Sequence, residues 1–136
     1  MNILIKSLIS IIIVLLLDII WLNINHQLYN GMIKGIQFKN ITINIYGAII
    51  AYILMFMSFY FIIYPNINSD KNKNVFQIAL KHGALSGLIL YGIYNFTNYS
   101  ILENYKINIS IIDTLWGTFV YFIAVFITII ISRNLK

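Results

Sequence analysis

Four long apolar segments dominate the sequence. Residues 3–23, 45–64, 76–99 and 109–132 each reach the roughly 20 residues that an α-helix needs to cross the hydrocarbon core of a membrane. The first contains the stretch IIIVLLLDIIWL, from Ile11 to Leu22. Only 10% of the residues are charged, whereas a soluble domain carries about 25% because its surface faces water. The sequence therefore predicts an all-α integral membrane protein, a four-helix bundle formed as one multi-pass domain over residues 1–136.

The composition excludes several kinds of chemistry. The chain has no cysteine, which excludes disulfides, thiolate zinc sites and cysteine nucleophiles. The net charge of +5 lies in short loops and at the termini rather than in a basic groove interleaved with aromatic residues, so we expect no nucleic-acid partner. His26 and His82 fall at opposite membrane faces and cannot share a metal ion. We therefore predict no metal and no other cofactor.

The segments between the predicted spans differ in character. The stretch from Asn25 to Asn40 carries spaced apolar residues, which predict a segment lying at the membrane interface. These residues are Leu28, Met32, Ile33, Ile36 and Phe38. Pro65 is predicted to end the second span, and NINSDKNKN, residues 66–74, is predicted to be a polar turn.

The basic residues beside the spans predict the orientation. Cytoplasmic flanks of membrane helices carry an excess of Lys and Arg. Six basic residues lie at one set of helix ends and three at the other: Lys6, Lys71, Lys73, Lys81, Arg133 and Lys136, against Lys34, Lys39 and Lys106. This excess places both termini in the cytoplasm, and in a bacterium the membrane would be the plasma or inner membrane.

Three of the four predicted helices carry polar and aromatic residues at one depth. With the first helix running outward, Asp18 lies about one and a half turns, or about 8 Å, short of the outer boundary. Helical spacing sorts the residues into three stripes: Asp18, Trp21 and Asn25; Tyr91, Asn95 and Asn98; and Asp113, Trp116, Gly117 and Val120. We expect these stripes to meet in the outer half of the membrane.

Energetics favour that meeting. An Asp near the centre of a span costs about 2.5–3.5 kcal/mol to insert, and each Ile or Leu offsets only about 0.3–0.6 kcal/mol. Asn amides, Tyr hydroxyls and Trp N–H groups are the donors that a carboxylate needs. Because ionisable residues inside membranes often mark sites, the predicted ligand-binding residues are Asp18, Trp21, Tyr91, Asn95, Asn98, Asp113 and Trp116. A purely structural role, in which these groups set the helix register, stays open.

Glycines predict where helices approach closely. Gly83 and Gly87 form a Gly-x-x-x-Gly pair on the face that continues through Tyr91 and Asn95. Gly117 lies in the stripe of the last helix. We assign all three glycines to helix packing.

Four motifs carry a family resemblance. LDIIWL in the first helix, YPN closing the second, LYGIYNFTN in the third and IIDTLWGTF in the fourth resemble the small four-helix bacterial predicted membrane proteins of domain-of-unknown-function family 2177. The resemblance covers nearly the whole chain. The family pattern has an Asp at the position of Asn95 and a Trp at that of Tyr105. Because this chain lacks that Asp, any mechanism that needs a charge in the third helix is weakened. The family carries no established activity, so the resemblance implies a fold and candidate residues but no reaction.

Three classes of function remain open at this point. The leading hypothesis is a protein without enzymatic activity whose polar cluster binds a small amphipathic ligand or lipid head group, or docks a partner protein. The alternative is an oligomeric proton-coupled or cation-coupled transporter or channel. An oligomer would be needed for transport, because side chains fill the core of a single four-helix bundle. The third is a membrane enzyme or accessory subunit in lipid modification. We assign no catalytic residue, and the expected partners are membrane lipid, a second copy of the chain or another membrane protein.

Overall fold

The computed structural model describes residues 1–67 and 73–135, and every regular element in these ranges is helical. The five helices are α1 (Ile3–Ile24), α2 (His26–Gln37), α3 (Ile45–Ile67), α4 (75–101) and α5 (Ile107–Asn134). The prediction of an all-α fold is confirmed. Outside the described residues lie the central part of the predicted turn 66–74 and two of the basic residues on which the predicted orientation rests, Lys71 and Lys136.

Three of the helices have the length and composition of membrane spans. These are α1, α3 and α5. The predicted third span, 76–99, lies within α4, but α4 is not among the three. The prediction of four spans is thus supported for three helices, and the fourth stays a prediction.

The segment between the first two spans forms the additional helix α2. Its apolar face lies on the start of α5, where Met32, Tyr105 and Ile109 form a small buried cluster. The helix ends at Gln37, and the next residue, Phe38, has a left-handed backbone with φ 58° and a side chain that is 87% exposed. This packing carries Tyr29 of α2 toward the ends of α1 and α5.

Helix α3 does not end at Pro65, so that prediction is wrong. The helix continues through Pro65 to Ile67 because the preceding residues, Ser58–Ile63, form a π-helical stretch. There the amide of Tyr64 bonds to the carbonyl of Phe59, five residues earlier. In an ordinary α-helix a proline ring collides with the carbonyl four residues before it, and the wider π-helical turn relieves that collision.

Of the three candidate spans, α5 is the most buried and α3 the least. In the most apolar 18-residue stretch of each span, 44% is buried in α5 and 11% in α3. The first part of α3, Ile45–Met57, contains no buried residue, whereas Phe59 and Ile63 in the π-helical stretch belong to the core. One half of α3 is therefore anchored in the bundle and the other lies along its surface.

A polar contact that the sequence analysis did not predict anchors α3. The Tyr64 hydroxyl bonds to Ser10 of α1, and Ser10 also bonds to Thr128 of α5, with 2.9 Å between their oxygens. The hydroxyls of Ser58 and Tyr121 bond at 3.2 Å. Small hydroxyl side chains thus tie three helices together in the half of the bundle opposite to Asp18.

Glycines let α4 and α5 approach until their backbones touch. A Cβ added at Gly83 would lie 2.6 Å from the Tyr121 carbonyl oxygen, and one at Gly87 would lie 2.3 Å from the Gly117 carbonyl oxygen. A Cβ at Gly117 would lie 2.0 Å from Cγ of Tyr91. Any larger residue at these positions would force the helices apart or displace the Tyr91 ring.

Gly87→Ala should lower the free energy of unfolding in detergent micelles by about 1–3 kcal/mol, because the new methyl group overpacks a backbone contact. The matched control is Gly92→Ala in the same helix, where the nearest atom to the new Cβ, the Thr114 methyl, lies at an ordinary 3.6 Å. The free energy of unfolding of that variant should be at least as high as the parent's, since Ala has a higher helix propensity than Gly. Equal losses in the two variants would contradict this packing.

Candidate functional site

Asp18 lies between four helices. It is 7% exposed, and its carboxylate accepts hydrogen bonds from Trp116 Nε1 of α5 at 3.2 Å and from the Tyr91 hydroxyl of α4 at 3.2 Å. A third comes from the Tyr52 hydroxyl of α3 at 3.4 Å. All three donors are neutral, so these contacts are hydrogen bonds without an ion pair.

Asp113 has a different set of partners. One carboxylate oxygen accepts from Asn95 Nδ2 at 2.7 Å, and the other accepts from the hydroxyl of Tyr29. Asn95 is 1% exposed and is itself held in place, because its amide nitrogen donates to the Tyr91 carbonyl at 3.0 Å and its oxygen accepts from the Tyr105 hydroxyl at 3.0 Å. Asp113 therefore belongs to a tightly bonded group from α2, α4 and α5 and the loop before α5.

The two tryptophans join the carboxylates into one network. Their rings stack with centroids 4.4 Å apart and planes 8° apart. Trp116 donates to Asp18, and Trp21 donates to the Tyr29 hydroxyl at 2.9 Å, which in turn donates to Asp113. We call this set the carboxylate network; it comprises Asp18, Trp21, Tyr29, Tyr52, Tyr91, Asn95, Tyr105, Asp113 and Trp116.

Six of the seven predicted site residues lie in this network: Asp18, Trp21, Tyr91, Asn95, Asp113 and Trp116. The structure places Asn98 differently, beside the hydroxyls of Tyr94 and Tyr105 rather than on a carboxylate. Asn25, which shared a stripe with Asp18, bonds to the Trp21 carbonyl of its own helix at 3.0 Å. Val120 is fully buried in the core.

Three tyrosines of the carboxylate network, Tyr29, Tyr52 and Tyr105, are not among the site residues predicted from the sequence. Tyr29 follows the apolar spacing of Met32, Ile33 and Ile36 in α2, and that spacing was the available signal. Tyr105 was noted only as a departure from the family pattern. Tyr52 is one of four tyrosines in the apolar helix α3, and nothing in the sequence marks it, rather than Tyr46, Tyr60 or Tyr64, as the donor to Asp18.

Two of these tyrosines, Tyr29 and Tyr105, lie outside the spans, and burial raises the pKa of both hydroxyls above the ordinary value. Burial raises the pKa of Tyr105 to about 12. Burial also raises the pKa of Tyr29, and the neighbouring Asp113 carboxylate raises it further. Both residues thus remain hydrogen-bond donors at neutral pH.

Apolar grooves flank α3 on both sides. One, of about 570 Å³, lies between α1 and α3 and includes Ile11, Ile49 and Tyr52 in its lining. The other, of about 460 Å³, lies between α3 and α4; we call it the outer groove, and it is lined by Ala51, Leu54, Met55, Leu90, Tyr91 and Tyr94. Each groove is lined by one of the tyrosines that donate to the Asp18 carboxylate.

An all-helical chain with three apolar helices of spanning length and a buried carboxylate between them defines a multi-pass integral membrane protein. The chain belongs to the family of predicted membrane proteins DUF2177, whose family model matches residues 3–130. The resemblance found in the four motifs is therefore confirmed over nearly the whole chain. No curated protein and no solved structure matches the sequence.

Tyr29→Phe should lower the free energy of unfolding in micelles by about 1–3 kcal/mol, because it removes a partner from both the Asp113 carboxylate and the Trp21 N–H group. Tyr46→Phe is the matched control, since the Tyr46 side chain is 77% exposed. Equal stability of Tyr29→Phe and the parent would mean that this bridge contributes nothing to folding.

Proposed function

We propose that the carboxylate network binds the hydrogen-bond-donating end of a small amphipathic molecule, such as a membrane lipid, through Asp18. The observation that carries the proposal is that Asp18, although buried, has only long hydrogen bonds from neutral donors. A carboxylate offers about four lone-pair positions and can only accept. The complementary ligand group is therefore a hydroxyl or an ammonium group.

The lengths of the hydrogen bonds separate the two carboxylates. Bonds to an ionised carboxylate usually measure about 2.5–2.9 Å, and Asn95 on Asp113 reaches 2.7 Å. The donors on Asp18 stand at 3.2–3.4 Å. A ligand donor could form a shorter and stronger bond than any of these. We assign Asp113 the structural role and Asp18 the binding role.

The outer groove offers a path for the apolar part of such a ligand. Its walls are apolar except at the tyrosines, and Tyr91 both lines it and donates to Asp18. The neighbouring half of α3 has no buried residue, so a small displacement of this half would widen the groove without opening the core. A hydrocarbon chain in the groove would place its polar end beside Tyr91 and Asp18.

Lipids and other small molecules that co-purify with the protein, identified by mass spectrometry, test this proposal. Asp18→Asn should reduce the retained ligand at least ten-fold, because an amide nitrogen replaces one acceptor oxygen. Leu54→Trp should reduce it as well by filling the outer groove. The control is Ile50→Trp, one turn earlier on α3, where the side chain is 58% exposed and lines neither groove.

Two outcomes would count against the proposal. If folded Asp18→Asn protein retained the same molecules in the same amounts, Asp18 would not be a binding group. If Leu54→Trp and Ile50→Trp behaved alike, the outer groove would not hold the ligand.

We also propose that α4 is a fourth membrane span and that both termini face the cytoplasm. Helix α4 runs over 75–101, long enough to cross, and it lies along the central helix α5 through Gly83 and Gly87. Its polar residues Asn95 and Tyr91 face other protein groups rather than lipid. The excess of basic residues at the ends that include Lys6, Lys73 and Arg133 supports the orientation.

Single cysteines test this topology, because the parent chain has none. A membrane-impermeant thiol reagent applied to intact cells should label Phe38→Cys and Asn104→Cys, which lie in the connections before α3 and before α5. Lys73→Cys and Asn134→Cys should react only after the cells are lysed. Labelling of Asn104→Cys and Lys73→Cys from the same side would show that α4 does not cross.

A further inference from the structure

A groove with polar lining residues lies between α3 and α4, at the end of the bundle opposite to the carboxylate network. It has a volume of about 330 Å³, and we call it the basic groove. Its main lining residues are Ile62 and Asn66 of α3 and Lys81, His82, Leu85 and Ile89 of α4.

The lining of the basic groove changes from polar to apolar along the helices. Asn66 lies near the end of α3, and Lys81 and His82 lie near the start of α4. Leu85 and Ile89 follow about one and two turns further along α4. Basic side chains at one end of the groove and apolar side chains at the other match a molecule with a charged head and an apolar chain.

Both helices depart from α-helical geometry where they form this groove. Ile62 belongs to the π-helical stretch Ser58–Ile63, and Lys81 and His82 belong to a second stretch, Ala79–Ala84. π-Helical turns within α-helices occur frequently at functional sites. Here the two stretches supply residues to opposite walls of the same groove.

The charge around the groove is positive. Arg133 Nη2 donates to the Lys73 carbonyl at 3.0 Å, and Lys73 lies next to Lys81 in the lining of an adjoining depression. Among the described residues, this end of the bundle carries the basic residues Lys6, Lys73, Lys81 and Arg133, whereas the acidic residues Asp18, Glu103 and Asp113 lie toward the other end. Basic pockets between membrane helices on the cytoplasmic side favour anionic lipid head groups.

We propose that the basic groove binds an anionic phospholipid, with its phosphate beside Lys81 and His82 and an acyl chain along Ile62, Leu85 and Ile89. This site is separate from the one proposed at Asp18, and its ligand bears the opposite charge. A free phosphate ion shares the head-group chemistry, but it would leave the apolar part of the groove unused.

The test is binding of phosphatidylglycerol to the purified full-length protein in mixed micelles, counted by native mass spectrometry. Lys81→Gln should weaken binding about five-fold, the usual contribution of one basic residue near an anionic lipid surface. Lys81→Arg should retain binding, which separates loss of charge from loss of fold. The control is Lys34→Gln, in α2 at the other end of the molecule, which should bind like the parent.

A second pair of variants distinguishes lipid from free phosphate. Leu85→Trp fills the apolar part of the groove and should abolish phosphatidylglycerol binding while leaving any binding of inorganic phosphate unchanged. Leu88→Trp, on another face of α4 and outside the groove lining, should have no effect on either.

Three results would overturn the proposal. Equal weakening by Lys81→Gln and Lys34→Gln would indicate unspecific attraction to the lipid surface. Unchanged lipid binding in Leu85→Trp would show that no acyl chain uses the groove, and phosphate binding lost in Lys81→Gln would then identify a phosphate site instead. Unchanged lipid binding in Lys81→Gln would exclude the head-group site.

Discussion

The burial of Asp18 among membrane helices sets the arrangement of one half of the protein. Lipid offers no water to solvate a carboxylate, so the donors must come from neighbouring helices. Helices α3, α4 and α5 each supply one, through Tyr52, Tyr91 and Trp116. None of these contacts is local in sequence. The positions of four helices are therefore coupled through a single side chain.

Two carboxylates in one network have different surroundings, and the difference bears on function. Asp113 is bonded closely to Asn95, which is itself bonded at both ends of its amide, so this part of the network is rigid. Asp18 is buried as deeply as the core but is bonded at greater distances. Asp113 and its partners thus form the rigid part of the network, whereas Asp18 can still accept a hydrogen bond from a stronger donor.

Helix α3 links the two proposed sites because it forms one wall of each. Hydroxyl contacts from Ser58 and Tyr64 anchor one half of the helix in the core. The other half lies on the surface, with Tyr52 as a hydrogen-bonded tie to Asp18. The π-helical stretch that allows the helix to continue through Pro65 also contributes to the basic groove. A displacement of α3 would thus alter both grooves between α3 and α4.

The sequence by itself determined the membrane class, the helical fold and six members of the carboxylate network, because apolar length and helical spacing are properties of consecutive residues. Only the tertiary structure decided which helix faces which. It brought Tyr52 to Asp18, Tyr29 to Asp113 and the Gly87 backbone to Gly117. Helix α3 has four tyrosines, and their positions along the chain do not reveal which of them reaches Asp18. The continuation of α3 through Pro65 depends on a π-helical turn that no local pattern predicted. These features arise from packing between segments far apart in the chain, so spacing along the chain does not contain them.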